Sequence, residues 1–279
     1  MVPTILLAAT AALVWGASDF CGGKGSQRAS PLAVTVMSQI VSLPVLALGL
    51  VVIAGTPRFA DLAWGMVGGV AGLIGIVLLY RGLASGAMSV VSPVTAVTAA
   101  VVPLVIGLLL DGILSALALV GTVCAVLAIA LISAAPGAGG GGRVTRGLLG
   151  LALTAGAMFG FFFVILGQVS PGSGLWVMVG IRLSSIPLGL LIAARSRTSL
   201  RLSPRVLVWA GAAGSLDLLG NTFFLMAAAQ GHLSIVAVLA SLYPTSTVLL
   251  ALAVDRERVR VVQVAGLGLA ATALVMTAA

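Results

Sequence analysis

Asp217 lies at the centre of an apolar run at 205–229, where placing an acid in a bilayer-spanning helix costs about 3 kcal/mol. Gly214, Asp217 and Asn221 follow at i, i+3 and i+7 and so share one helix face. A carboxylate at that depth suits a reversible proton carrier or a group that binds a cation. It suits equally a structural ion pair, and Arg182, near the middle of the run at 174–194, is the obvious partner. Arg182 also carries the planar fork that grips a carboxylate or phosphate bidentately. The expectations are proton coupling at Asp217 and substrate contact at Arg182 and Asn221, with the structural pair as the alternative. Gln39 falls at the position of the first half that corresponds to Arg182 and joins the substrate-binding candidates.

Two stripes of small and hydroxyl residues recur at helical spacing. One runs through Ser85, Ser89, Ser92, Ala96, Ala99 and Pro103, the other through Gln230, Ser234, Ala237, Ser241 and Pro244. Such a face either packs tightly on a neighbour or lines a cavity. On the cavity reading Ser89, Ser92, Ser241 and Tyr243 contact substrate. Trp15 either stacks on a substrate or anchors at the membrane interface. Tyr80 and Arg81 form a gate or snorkel to the interface, and Asp19, read at the end of the first span, meets water. His232, the one histidine, follows Gly231 at a turn, so neither a metal cluster nor a histidine relay is expected. Gly22-Gly23-Lys24 lacks the remaining residues of a phosphate loop, and no hydrolase or zinc-protease motif occurs. No cofactor is expected, and the chain reads as no enzyme.

The elements that must position these residues are membrane helices. Charged residues make up 7% of the chain and apolar ones 61%, with a mean hydropathy of +1.27; a soluble domain carries roughly 25% charged residues. Runs near the length of about 20 residues that a bilayer requires occur at 3–20, 31–54, 61–84, 88–110, 113–134, 147–168, 174–194, 205–229, 233–253 and 259–278. The first run has no basic residue before it, so it reads as a transmembrane helix and not as a cleaved leader. Cys21 and Cys124 are expected to be small packing residues.

The chain repeats itself. An offset of 145 residues pairs Trp64 with Trp209, Gly69 with Gly214, Gly75 with Gly220, Ser89 with Ser234 and Gly121 with Gly266; offsets of 144 and 143 pair Gly16 with Gly160 and Pro44 with Pro187. Residues 1–135 and 147–279 therefore read as two five-helix repeats joined by a Gly-rich linker at 136–146. Five spans is odd, so the second repeat must be threaded in the inverse sense, and equivalent loops should carry opposite charge bias. They do. Lys24 and Arg28 follow the first span and no basic residue follows the sixth. Arg58 stands against Asp61 after the second span, whereas Arg195, Arg197, Arg201 and Arg205 follow the seventh. Asp111 follows the fourth, whereas Arg256, Arg258 and Arg260 follow the ninth. The net charge of +8 is thus an orientation signal and not a nucleic-acid surface. It places the basic loops in the cytoplasm and both termini outside, in a multi-pass protein of the plasma (inner) membrane.

Several short signatures then fall in a telling order: Trp15-Gly16, Tyr80-Arg81-Gly82-Leu83, Gly220-Asn221-Thr222-Phe223-Phe224, Ser241-Leu242-Tyr243-Pro244, and Glu257 nine residues before Gly266. In this the whole chain resembles the drug/metabolite transporter superfamily, in the form with two EamA domains. In the first half Gly112 stands where that acid would be. The resemblance implies export or exchange of small polar metabolites such as amino acids by alternating access, with walls from spans 1, 3, 4, 6, 8 and 9. The partners it implies are a metabolite and the bilayer; a homodimer is compatible but not required. The competing reading is a protein that handles lipids or translocates lipid-linked sugars, or an intramembrane enzyme.

Overall fold

A computed structural model describes residues 2–85, 87–111, 120, 123, 124, 127, 128, 131, 145–166, 168–230, 240, 243, 246, 247, 250, 254 and 261–278. Its elements are α1 (Val2–Ser26), α2 (Pro31–Val41), α3 (Leu43–Val52), α4 (Phe59–Ala84), α5 (Met88–Asp111), α6 (Arg146–Leu166), a 3-10 turn (Pro171–Ser173), α7 (Trp176–Arg195), α8 (Pro204–Ala228) and α9 (Val261–Ala278). No strand occurs among the described residues. Among the described residues, five stretches are long and apolar enough to cross a membrane: Thr4–Ser26, Pro31–Val52, Phe59–Ala84, Arg146–Leu166 and Trp176–Arg195. Large apolar side chains such as Leu6, Leu13, Leu48, Met66, Leu183 and Val208 stand exposed on the outside, as they would against lipid. The linker expected at 136–146 lies outside the described residues except Thr145 and Arg146, as do Glu257 and the cluster Arg256–Arg260.

Two helix boundaries differ from expectation. The first span does not stop at residue 20; α1 continues through Cys21, Gly22, Gly23 and Lys24 to Ser26. The glycines serve close packing instead of a turn, since a Cβ on Gly22 would run into the Tyr80 ring and one on Gly23 into Leu83 and Met88. The second span is irregular for one residue, Ser42, between α2 and α3, yet helical bonds run through it from the Ser42 N–H to the Ser38 carbonyl (3.1 Å) and from the Leu46 N–H to the Ser42 carbonyl (3.0 Å). Pro44 has no N–H to donate, and its ring crowds the Ile40 carbonyl one turn back. The corresponding Pro187 sits inside an unbroken α7. That helix ends at Arg195 in a Schellman pattern, with Thr198 N–H donating to the Ala193 carbonyl (2.9 Å) and Arg197 in the left-handed region at φ 52.

Glycines set the helix crossings. A Cβ on Gly65 would lie 3.1 Å from the Gly180 Cα and strike the Val177 carbonyl, so α4 and α7 meet backbone to backbone. Gly214 seats α8 on the Ser38 backbone of α2, and Gly220 leaves room for the Trp15 indole of α1. Gly156 and Gly160 of α6 press on Thr95, Thr98, Ala99 and Val102 of α5, while Gly16 of α1 faces Tyr243 and Ser246. These are the small-residue contacts that replace the hydrophobic effect as the source of helix association in lipid. The small face of α5 is therefore at least partly a packing face.

Two loops close one end of the bundle. Thr56 N–H donates to the Gly172 carbonyl (3.0 Å), Ser170 N–H to the Asp61 carboxylate (3.0 Å), and Trp176 Nε1 to the Gly55 carbonyl (3.3 Å). At the same end, the Thr4 hydroxyl reaches the Gln230 carbonyl at 3.4 Å. At the other end, Gly25 of α1 faces Val34 and Trp209.

Candidate functional site

Trp15 opens the site. Its indole occupies the space that Gly220 leaves and meets three aromatic rings: Phe224 at 5.5 Å between centroids, Phe163 at 6.0 Å and Tyr243 at 6.4 Å. Offset and edge arrangements at these separations are favourable for aromatic pairs, so the group holds Trp15 at the wall of a cavity and not at an interface.

Asp217 lies one turn before Asn221 on α8, and Arg182 reaches it from α7. Arg182 Nη2 stands 3.3 Å from Asp217 Oδ2, and the Asn221 amide donates to Asp217 Oδ1 (3.2 Å) and to the Asp217 carbonyl (2.8 Å). Arg182 and Asn221 are 6% and 5% exposed, so this is a buried cluster. Next to Arg182 on α7, Ser185 donates to the Gln39 side-chain carbonyl at 2.6 Å. Gln39 is presented by α2, just before the irregularity at Ser42.

Trp15, Gln39, Arg182, Asp217, Asn221 and Tyr243 face one cavity of about 750 Å³ counted out to its mouth. Its other walls are Ser18 and Asp19 of α1, Gly72, Leu73, Ile76, Leu79 and Tyr80 of α4, Phe159, Phe162 and Phe163 of α6, and Met178 and Ile181 of α7. Six aromatic side chains are concentrated here in a chain that is only 5% aromatic.

Of the residues singled out from sequence, Trp15, Gln39, Tyr80, Arg182, Asp217, Asn221 and Tyr243 converge on the cavity. Ser92 does not; it is fully buried in α5 away from these walls. Arg81 follows Tyr80 but is exposed, on a different face of α4. Ser241 and the side chain of Ser89 lie outside the described residues. Among the described residues, the walls of this cavity draw on α2 and α7 as well as on α1, α4, α6 and α8, and not on α5. Arg182 and Asp217 are ion-paired and also line the cavity.

Two wall elements and one supporting contact were missed. Asp19 was placed at a helix end in water; because α1 runs on to Ser26, it sits well inside the helix and faces the cavity. Phe159, Phe162 and Phe163 had no contrast against an apolar span to mark them. Nothing in the sequence pointed to Ser185 as the partner of Gln39.

The sequence offsets map one half of the wall onto the other. An offset of 144 carries Trp15, Ser18 and Asp19 onto Phe159, Phe162 and Phe163; 143 carries Gln39 onto Arg182; 145 carries Gly72 and Ile76 onto Asp217 and Asn221. Every one of these positions lines the cavity.

A profile for the EamA-like transporter family matches residues 2–134 and again 146–279. The chain belongs to the EamA-like transporter family. Its two family repeats cover nearly all of its length, as expected for a drug/metabolite transporter with two EamA domains. A crystal structure described only as that of a protein superposes with a TM-score of 0.65 over 99% of this chain and 96% of that one, at 17% identity, and so shows a shared fold. No curated protein matches. This EamA-family chain is a multi-pass membrane protein of transporter type.

Proposed function

We propose that this EamA-family protein is a secondary active transporter that exports or exchanges small polar metabolites, such as amino acids, across the plasma membrane. The observation that carries the reading is a central cavity with a charged, hydrogen-bonding wall drawn from equivalent positions of both repeats. A transport site between repeats is what alternating access requires, because rocking one half on the other exposes it to each side in turn. Ten spans in two inverted five-helix repeats agree with that wall. They agree too with the pairing of the 53–58 loop and the 168–175 loop at one end. The basic loops then face the cytoplasm and both termini face out.

In this mechanism Arg182 is the group a substrate anion would address, and it is engaged by Asp217. A substrate carboxylate competes with Asp217 for the guanidinium, and protonation of Asp217 favours that exchange by removing its charge. Proton coupling at Asp217 follows from this competition. Tyr80 stands at the wall as the gate residue, while Arg81, outside it, anchors α4.

The test uses the purified protein in lipid nanodiscs and a thermal-shift screen against polar metabolites, with Arg182→Gln in parallel. A ligand at 100 times its Kd adds about 2.7 kcal/mol to the stability of the folded state. A polar anion or zwitterion should shift the wild type and not Arg182→Gln. In proteoliposomes Asp217→Asn should lose any dependence of transport on a pH gradient; wild-type rates with that dependence retained would remove Asp217 from coupling. Stabilisation by lipids or lipid-linked sugars alone would favour a lipid-handling protein.

A further inference from the structure

Among the described residues, two carboxyl groups, Asp19 and Asp217, line the cavity against one guanidinium, Arg182, and that guanidinium already faces Asp217. Asp19 is within electrostatic reach of Asp217, Tyr80 and Tyr243. Its Oδ2 is buried with no hydrogen-bond partner among the described residues. The hydroxyl of the neighbouring Ser18 is committed elsewhere, donating to the Ala213 carbonyl at 2.8 Å.

A second orphan acceptor lines the same cavity. The Asn221 Nδ2 faces two oxygens of Asp217, which fixes the amide orientation and turns Oδ1 away from them. Among the described residues, Oδ1 is buried and without a partner, in a residue 5% exposed. Arg182 Nε, in a residue 6% exposed, is a buried donor likewise without a partner among them. Buried polar groups left unpaired are costly, so the two acceptors suit a ligand that brings N–H donors on a positive group. Trp15, Tyr80 and Tyr243 line the same cavity, and aromatic rings attract cations.

Resting on the transporter reading above, we propose that Asp19 recognises a protonated amine of the substrate, with Asn221 Oδ1 as its second acceptor. Arg182 takes the anionic end where the substrate has one. Asp19 thereby selects amine-bearing solutes over those of similar size that lack a positive charge.

The experiment measures binding to the full chain in nanodiscs by thermal shift and calorimetry. The probes are the twenty common amino acids, their carboxamides, which keep the amine, and their N-acetyl derivatives, which lose it. At least one free amino acid should bind, its carboxamide should bind more weakly, and its N-acetyl derivative should not bind. Asp19→Asn should weaken the free acid and the carboxamide alike by roughly tenfold or more, the worth of a charge-assisted hydrogen bond. Equal binding of the N-acetyl derivative to the wild type overturns the assignment, and that comparison needs no variant to fold. Binding to a folded Asp19→Asn within about twofold of wild type also overturns it. If sugars or other uncharged solutes bind and no amine does, the amine assignment falls while the transporter reading stands. If no polar solute binds, both fall.

Discussion

Removing Asp217 and removing Arg182 leave different groups stranded. Without Asp217, a guanidinium 6% exposed, whose Nε already has no partner, loses its counter-charge, and the Asn221 amide loses an acceptor. Without Arg182, a carboxylate 22% exposed keeps the Asn221 amide and some access to the cavity. Uncompensated buried charge costs about 3–5 kcal/mol, while removing both partners of a pair is often nearly neutral. Asp217→Asn should therefore lower the melting temperature more than Arg182→Gln, and the double variant should lose clearly less than the sum of the two. A double-mutant cycle by thermal denaturation in one detergent checks this; simple additivity would mean the 3.3 Å contact carries no coupling. Asp217, Arg182, Asn221 and Gln39 were legible in sequence because a polar residue inside a long apolar run has no bland environment available to it. Asp19 was illegible for the opposite reason. Cys21 to Lys24 reads as a helix stop, and only the Tyr80 ring lying against Gly22 reveals that the glycines admit a neighbour and let the helix continue.

Run length alone gave the described helices, and among these all but the first and second keep close to their expected ends; the spans expected at 113–134 and 233–253 lie mostly outside the described residues. What run length cannot give is how a proline acts. Pro44 and Pro187 occupy equivalent positions, yet one follows a one-residue irregularity at Ser42 and the other is carried within a regular helix. Each removes one hydrogen bond and crowds one carbonyl; how far the helix departs from regularity depends on what its neighbours allow. Glycines are more predictable once the crossings are known. Gly65→Ala forces α4 away from α7, because the neighbours of its Cβ are the Val177 carbonyl and the Gly180 backbone and not a flexible side-chain end. That should cost about 1–3 kcal/mol. Gly150→Ala on α6 has nothing within 4 Å of the new atom and should be neutral or slightly stabilising, since alanine is the better helix former by about 1 kcal/mol. Comparing the two melting temperatures tests whether the close α4–α7 crossing holds the fold or merely occurs in it. Equal melting temperatures for Gly65→Ala and wild type would mean the crossing can relax without loss.

Among the described residues, the first repeat packs chiefly on the second. Gly220 of α8 takes Trp15 of α1, Gly68 and Gly72 of α4 face Phe162 of α6, Gly65 of α4 meets Gly180 of α7, and Gly214 of α8 meets Ser38 of α2. The offsets that align the repeats exchange the α1–α8 contact with the α6–α4 contact, and the α4–α7 contact with the α8–α2 contact. Such an exchange is what a two-fold axis lying in the membrane plane produces, and it puts corresponding loops at opposite ends. The loop that follows α6 is bonded through Gly172 to Thr56. Thr56 is at the far end of the second span from Arg28, which follows α1. Arg28 and Gln168, at corresponding places after α1 and α6, should thus lie on opposite faces of the membrane, with Arg28 on the same face as Ser199. Single cysteines at positions 28, 168 and 199, in a background lacking Cys21 and Cys124, test this with a membrane-impermeant thiol reagent on intact cells. Reagent added outside should label position 168 alone, and lysis should expose positions 28 and 199. Labelling of 28 and 199 alone on intact cells would keep the inverted repeat but reverse the orientation drawn from the basic loops. Labelling of 28 together with 168 on one face would break the parity on which two inverted five-helix repeats depend.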